Sequence, residues 1–317
     1  MGSKGVDTSV IASEHVSQGG QPLGKLPPVS LLVTDLDNTL WDWVEIWYRS
    51  FTALLDGIVR ISQIPAAELV PDIRRIHQRR RTAEYAYLIG ELEPLIQLHK
   101  GADLQELYRD AIDAARTARE RALELYPGVS ETIAAICERG TVIAGYTESL
   151  AFQAAARVKR LGLDGFLDYL YSPADHEWPD GVTPAALRRL QSEEYYHLNK
   201  TIHRHTPPGH LKPEADVLES IVAELSDGDG VVYVGDSKMK DIVMAQSVGV
   251  TDVWAKYGVR QSGPEYELLK TVTHWTDEDV EREKRIAEHG DVTPTITLHK
   301  SFAQLLDHFD FVKNDRR

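Results

Sequence analysis

The stretch VSLLVTDLDNT at residues 29–39 is an apolar, β-rich run that ends abruptly in acids. Five residues without polar alternation suit a parallel strand covered on both faces. Two later runs share this texture, TVIAGYT at 141–147 and GVVYVGD at 230–236. Each follows a helical stretch, SETIAAICERG and EADVLESIVAELS respectively, and each ends in polar residues. Strand alternating with helix predicts an α/β fold built on a doubly wound parallel sheet. Further strands are expected at DYLYS, 168–172, after the helix AFQAAARVKRLGL, and at TITL, 295–298, before SFAQLLDHF.

Two segments interrupt this rhythm. Between the first two strands, residues 43–126 read as helix throughout. Val44, Trp47, Phe51, Leu54, Leu55 and Ile58 recur at helical spacing, as do Leu104, Leu107, Ile112 and Ala115 before the breaker Pro127-Gly128. Roughly eighty residues is too long for a structureless connection, so a helical domain is expected there, with the core formed by 29–42 and 127–317. Residues 173–211 read as an insertion of unassigned role, with Pro173, Pro179, Pro184, Pro207 and Pro208 bracketing the helix PAALRRLQSEEYYHL. It holds His176, His197, His203, His205 and His210. His203-x-His205 with His210 could bind a metal, but no cysteine accompanies them and polar surroundings favour a solvated loop. Residues 1–28, rich in Gly, Ser, Gln and Pro and without apolar period, are expected to be a disordered lead-in.

Composition narrows the function classes. With 42% hydrophobic and 26% charged residues, and no eighteen-residue apolar run, the chain reads as an ordinary soluble protein without a membrane partner. A formal charge of -14 opposes non-specific binding to nucleic acid or anionic membrane. An anionic substrate therefore needs local help from a metal or a basic patch. The single cysteine, Cys137, excludes an internal disulfide and fits a reducing, cytoplasmic compartment. Its setting in TIAAIC marks a packed thiol.

The chemistry is concentrated where the strands end. Side chains two apart on an extended chain project the same way, so Asp35 and Asp37 enter one pocket. Two like charges so close call for a shared cation, and a hard divalent ion bound by oxygens is the obvious one. A third acid, Asp236, ends the strand at 230–236, and Asp241 follows on the next turn. Ligands of open α/β sheets bind at the carboxyl ends of the strands, which lets acids distant in sequence converge. Taken singly, these residues have plainer readings. Asp37 and Asn38 could cap a turn, Thr147 the helix after it, Asp241 could favour a helix dipole, and Lys212 could be an exposed lysine before Pro213.

As a set, the residues resemble the motifs of haloacid dehalogenase-like phosphatases. DLDNT resembles the first motif, AGYTES the second with Thr147, HLKPEA the third with Lys212, and VGDSKMKD the fourth, in the family's order across about 29–255. The resemblance implies that Asp35 attacks phosphorus to form an aspartyl phosphate, while Asp37 serves as general acid and then base. It implies Mg2+ held by the Asp35 carboxylate, the Asp37 backbone carbonyl and Asp236, with Asp241 supporting them. Thr147 would donate to phosphoryl oxygens and Lys212 would neutralise charge on the nucleophile and the transferring group. The helical domain's place between the first two motifs resembles the C1 cap class, whose members act on small diffusible metabolites. The expected activity is removal of phosphate from a small phosphorylated metabolite; the alternatives are a phosphomutase or a non-catalytic binding protein of the same fold. A halide leaving group needs no acid, so Asp37 disfavours dehalogenation.

Two features stay open at this level. Trp41, Trp43 and Trp47 could stack on a substrate ring or pack within the cap. The cluster Arg74, Arg75, Arg79, Arg80 and Arg81 could turn part of its charge toward the site to take a second anionic group. Otherwise it pairs with acids such as Glu68, Asp72 and Glu84 on a solvated helix.

Overall fold

A computed structural model describes residues 26–175, 179–183, 197–228, 230–276, 278, 281, 285 and 292–316. Most of the expected lead-in, His176 and most of the helix expected at 184–198 lie outside the described residues. Seven strands form one sheet: β1 (Leu31–Thr34), β2 (Val142–Tyr146), β3 (Tyr169–Ser172), β4 (Ile202–His205), β5 (Val231–Gly235), β6 (Thr251–Trp254) and β7 (Ile296–Thr297). Their order is β4-β3-β2-β1-β5-β6-β7, and every pairing is parallel. β1 lies in register with both central neighbours, Thr34 opposite Gly145 on one side and Val234 on the other.

The alternation of side chains along β1 divides the core. Leu32 packs on one face with α4 (Val129–Glu138) and α5 (Ala151–Arg160), through Val129, Ile133, Ile136, Ala154 and Val158. Leu31 and Val33 pack on the other with α6 (Asp216–Leu225) and α7 (Val243–Val248). Burial on both faces is why β1, β2 and β5 read as unbroken apolar runs.

Two strands were not legible in sequence. β4 is an edge strand in which Ile202, Arg204 and His205 are exposed, so it lacks an apolar run. The expected solvated histidine loop is therefore partly a strand, and His203 hydrogen-bonds Ser172 Oγ at 2.8 Å. His210 lies apart from this pair, against Glu214 and Asp216. β6 contains the buried Asp252, which reads as a turn residue. Its carboxylate accepts from the Thr295 amide at 2.8 Å and the Thr295 hydroxyl at 2.6 Å, which satisfies it inside the sheet.

Between β1 and β2 the chain builds a helical module from α1 (Trp43–Ser62), α2 (Ala66–Arg80), three short turns and α3 (Arg109–Ala122). Asp42 caps α1, accepting from the Glu45 amide at 2.9 Å. α1 and α3 touch at Gly57, where a Cβ would lie 2.4 Å from that of Ala111. The module has its own core, which packs Phe51, Ile58, Leu69, Ile73 and Ile76 against Tyr266, Leu269 and Val272. These last three belong to α8 (Pro264–Val272), which follows β6, so a helix distant in sequence completes the module. Among the described residues, no helix is long and apolar enough to cross a membrane.

His77 ties α2 to α8. A carbonyl can only accept, so the buried Nδ1 donates to the Val272 oxygen, at 2.6 Å. Burial pushes His77 down to about 4, while the Val272 hydrogen bond opposes the shift. A depressed folded-state value means stability that is present above the unfolded pKa of about 6.5 and is lost as pH falls through the folded one. Unfolding should therefore become easier by about 3 kcal/mol between pH 6.5 and 4 on this account. Urea titrations across that range should show this slope reduced in His77→Gln.

Candidate active site

The chain runs outward from β1 to β4 and then returns to the other side of β1 as β5. This reversal opens a crevice at the carboxyl ends of β1 and β5. Asp35 follows β1 directly, its amide continuing the ladder to the Val234 carbonyl at 2.8 Å. Thr147 follows β2, Lys212 arrives after β4, and Asp236 follows β5. All of them, with Asp37 and Asp241, line one cavity of about 230 Å³. Two glycines allow this close packing. A Cβ on Gly235 would fall 2.3 Å from Asp241 Cγ, and one on Gly258 would fall 1.6 Å from the Asn38 carbonyl oxygen.

At the floor, Lys212 is buried rather than exposed. Its ammonium donates to Asp35 Oδ1 at 2.6 Å and to Asp241 Oδ1 at 2.9 Å. The rings of Tyr146 and Tyr233 flank it at 4.9 and 5.6 Å. Burial opposes the lysine's charge, but Asp241 and Asp35 outweigh it and hold Lys212 well above its ordinary value. Burial pushes Asp35 up to about 7, Asp241 and Asp37 add to this, and Lys212 opposes it. One ammonium thus faces an excess of carboxylate.

This imbalance is a test of fit for a divalent cation. Carboxylate oxygens of Asp35, Asp236 and Asp241 lie within 4.8 Å of one another, a hard donor set of the kind Mg2+ takes. Asp241 is already engaged. Its Oδ1 also accepts from the Tyr233 hydroxyl at 2.7 Å, and its Oδ2 from the Ser237 amide at 3.0 Å. Asp241 thus orients Lys212 and the 235–241 turn, while Asp35 and Asp236 directly follow β1 and β5 at the mouth of the crevice.

Asp37 shares the cavity but turns its carboxylate to a different set of donors. Oδ1 accepts from Trp41 Nε1 at 2.8 Å and Arg157 at 3.3 Å, and Oδ2 from Ser149 Oγ at 2.6 Å and Thr147 Oγ1 at 3.3 Å. Thr147 also accepts from the Ser149 amide at 3.0 Å, so its local turn role and its place in the site coexist. Asn38, at φ 59°, reverses the chain, and its side chain accepts from the Val44 amide at 3.3 Å.

Both features that sequence left open are decided here. Of the three tryptophans only Trp43 lines the cavity, while Trp41 and Trp47 are buried in the cores. Arg75 pairs with Asp72, and Arg79 and Arg80 pair with Glu91, away from the cavity. Arg81, in the left-handed conformation at the end of α2, lines it. Glu84, one of the acids offered as a partner for the arginine cluster, pairs with Arg157 of the core.

Sequence reasoning missed Ser149, Arg157, Glu84, Glu148 and Arg260. One signal was present: Arg157 stands among Ala151, Ala154, Ala155 and Val158 on the buried face of α5. A charge on an apolar helical face needs a buried partner. Glu148 accepts from the Lys212 amide at 3.0 Å and pairs with Lys240, bracing the third-motif lysine. Arg260 lines the cavity and pairs with Asp42 at 3.1 Å.

Residues 29–249 match the family model described as haloacid dehalogenase-like hydrolase. No curated relative is detected by sequence. Among solved structures, a 2-haloacid dehalogenase from Pseudomonas syringae pv. Tomato is 18% identical, with 88% of this chain and 97% of that chain covered and a TM-score of 0.51. A haloacid dehalogenase-like family hydrolase from Xanthomonas campestris is 13% identical, with coverages of 82% and 100% and a TM-score of 0.47. A HAD phosphatase from Thermococcus onnurineus is 19% identical, with coverages of 76% and 97% and a TM-score of 0.44.

The charge balance at the floor is testable without a substrate. Lys212→Met should destabilise the metal-free protein by about 3 kcal/mol, because it strands buried carboxylates. Mg2+ should recover part of that loss, read as a larger metal-induced rise in melting temperature than the unaltered protein shows.

Proposed function

Since the chain belongs to the haloacid dehalogenase-like hydrolase family, we propose that it is a phosphoric monoester hydrolase, acting on a small phosphorylated metabolite through an aspartyl-phosphate intermediate. The observation that carries this reading is the second carboxylate. Asp37 lies in the same cavity as Asp35, two residues along the chain. An alkoxide leaving group needs a proton, and a halide does not.

In the first step a carboxylate oxygen of Asp35 attacks phosphorus and the bond from phosphorus to the ester oxygen breaks. Asp37, as general acid, delivers a proton to the departing oxygen, and the alcohol is released. In the second step water attacks phosphorus, Asp37 takes a proton from it, and inorganic phosphate leaves with the Asp35 carboxylate restored. Lys212 holds the nucleophile's charge in place and offsets charge on the transferring group. The Thr147 hydroxyl serves as a donor to phosphoryl oxygens, whereas its backbone amide, expected to share that role, is instead committed to the Tyr171 carbonyl at 3.0 Å. Asp35 and Asp236 are the residues that would hold Mg2+, aided by the Asp37 backbone carbonyl and with Asp241 behind them. Bound there, the ion supplies Lewis-acid charge neutralisation for the phosphoryl group.

The helical module acts as the cap. Trp43, Arg81, Thr82, Ala83 and Glu84 line the same cavity as the aspartates, where a cap excludes water and touches the rest of the substrate. Arg81 forms no ion pair among the described residues, so it is the cap cation available to an anionic group there.

Release of inorganic phosphate from a panel of phosphorylated metabolites tests the reading, since a mutase would return an isomer without free phosphate. Asp35→Asn should lower turnover by at least about a thousandfold, because the amide cannot act as nucleophile. Asp37→Asn should lose alkyl ester hydrolysis about a hundredfold while retaining much of aryl ester cleavage, whose leaving group needs less protonation. Equal loss on both esters would remove Asp37 from the acid role.

A further inference from the structure

Arg157 is 4% exposed and is held between two carboxylates that come from different parts of the molecule. Its NH2 lies 2.5 Å from Glu84 Oε1, and its NH1 lies 3.3 Å from Asp37 Oδ1. NH1 also donates to Ser149 Oγ at 3.0 Å, and that hydroxyl passes its own proton toward Asp37 at 2.6 Å. Glu84 belongs to the helical module, in the loop after α2. Its second oxygen accepts from Trp43 Nε1 at 3.0 Å, and its carbonyl accepts from Gln153 Nε2 at 3.0 Å. Burial opposes ionisation of both partners, yet each stays charged because of the other.

A buried guanidinium keeps a carboxylate partner, because the alternative is an uncompensated charge. Here two carboxylates compete for one guanidinium, and the shorter contact goes to Glu84. We propose that Arg157 is a positioning residue that links the seating of the helical module to the orientation of the Asp37 carboxylate. With Glu84 seated, the guanidinium is drawn to Glu84 and leaves Asp37 to the lighter hold of Trp41, Ser149 and Thr147. With Glu84 withdrawn, the guanidinium closes on Asp37 and keeps its carboxylate from the substrate. The consequence for catalysis rests on the acid role of Asp37 put forward above, whereas the link itself does not.

Two indole N–H groups report on the two ends of this link, Trp43 on Glu84 and Trp41 on Asp37. The ¹H–¹⁵N indole resonances, six in this chain, can be followed in the metal-free protein without substrate. Glu84→Gln is expected to move the Trp43 resonance directly and the Trp41 resonance through Arg157. In an Arg157→Gln background, Glu84→Gln should still move Trp43 but leave Trp41 in place. Arg157→Lys keeps the buried charge yet cannot span both carboxylates, so it should give the same insensitive Trp41 resonance if Gln proves too disruptive to fold. A Trp41 resonance that ignores Glu84→Gln, or that answers it equally with and without Arg157, overturns the link.

Catalysis gives the second readout. Glu84→Gln and Arg157→Gln should each lower kcat for an alkyl phosphate about tenfold more than for an aryl phosphate, with the double variant no worse than Arg157→Gln. Additive losses, or equal losses on both esters, would reduce Arg157 to a structural ion pair. Should the unaltered enzyme cleave neither ester, the hydrolase reading fails, while the indole resonances still decide the link.

Discussion

Three acids at the carboxyl ends of β1 and β5 face one buried ammonium, and the rest of the site is arranged around that imbalance. Lys212 cannot leave, since Asp35 and Asp241 would then repel each other in a setting shielded from water. It cannot neutralise the site alone either, and burial, with Asp241 and Asp37 adding to it, pushes Asp35 up to about 7 against the pull of Lys212. On the function proposed above, a floor so charged would draw a cation, and the cation in turn the phosphoryl group. The chain's overall charge of -14 would otherwise repel a phosphate ester. The supports follow from the same demand: Tyr233 and the Ser237 amide satisfy Asp241, while Glu148 holds the lysine's own backbone.

Above this floor the second carboxylate obeys different rules. Asp37 is separated from the ammonium and given to a ring of indole, hydroxyl and guanidinium donors. One chain direction therefore delivers two carboxylates to one cavity, and their partners give them different characters. Through Arg157 and Glu84, the second also touches the helical module. The module is in turn fastened to the core by more than its two covalent connections, because α8 lies in its apolar core and accepts from His77. Segments on both sides of the sheet's midline in sequence thus meet over the same cavity, Trp43 and Arg81 from the module with Arg260 and Tyr266 from the region of α8.

How far each of these features could be read from the chain depends on the range of the physics behind it. Strands buried on both faces announce themselves as apolar runs, so β1, β2, β3 and β5 are local in origin, and the acids that end them follow from position alone. An edge strand such as β4 carries no apolar signature, and β6 hides its burial behind Asp252, whose partner Thr295 lies 43 residues away. The sense of the arginine cluster was equally hidden. Helical spacing says which arginines share a face, but only the packed module says that Glu91 faces Arg79 and Arg80 while Arg81 turns to the cavity.

By itself the sequence determined the parallel α/β sheet, the helical character of the segment after β1, and the candidacy of Asp35, Asp37, Thr147, Lys212, Asp236 and Asp241. Periodicity, strand-end acids and motif order are all properties of residues close along the chain. Tertiary structure alone decided which carboxylate Lys212 serves, where Asp37 turns, and that Glu84 and Arg157 meet across 73 positions to join module and core. Ion pairs and hydrogen bonds in a buried site form between groups that folding brings within about 3 Å, and no local pattern encodes which distant partner that will be.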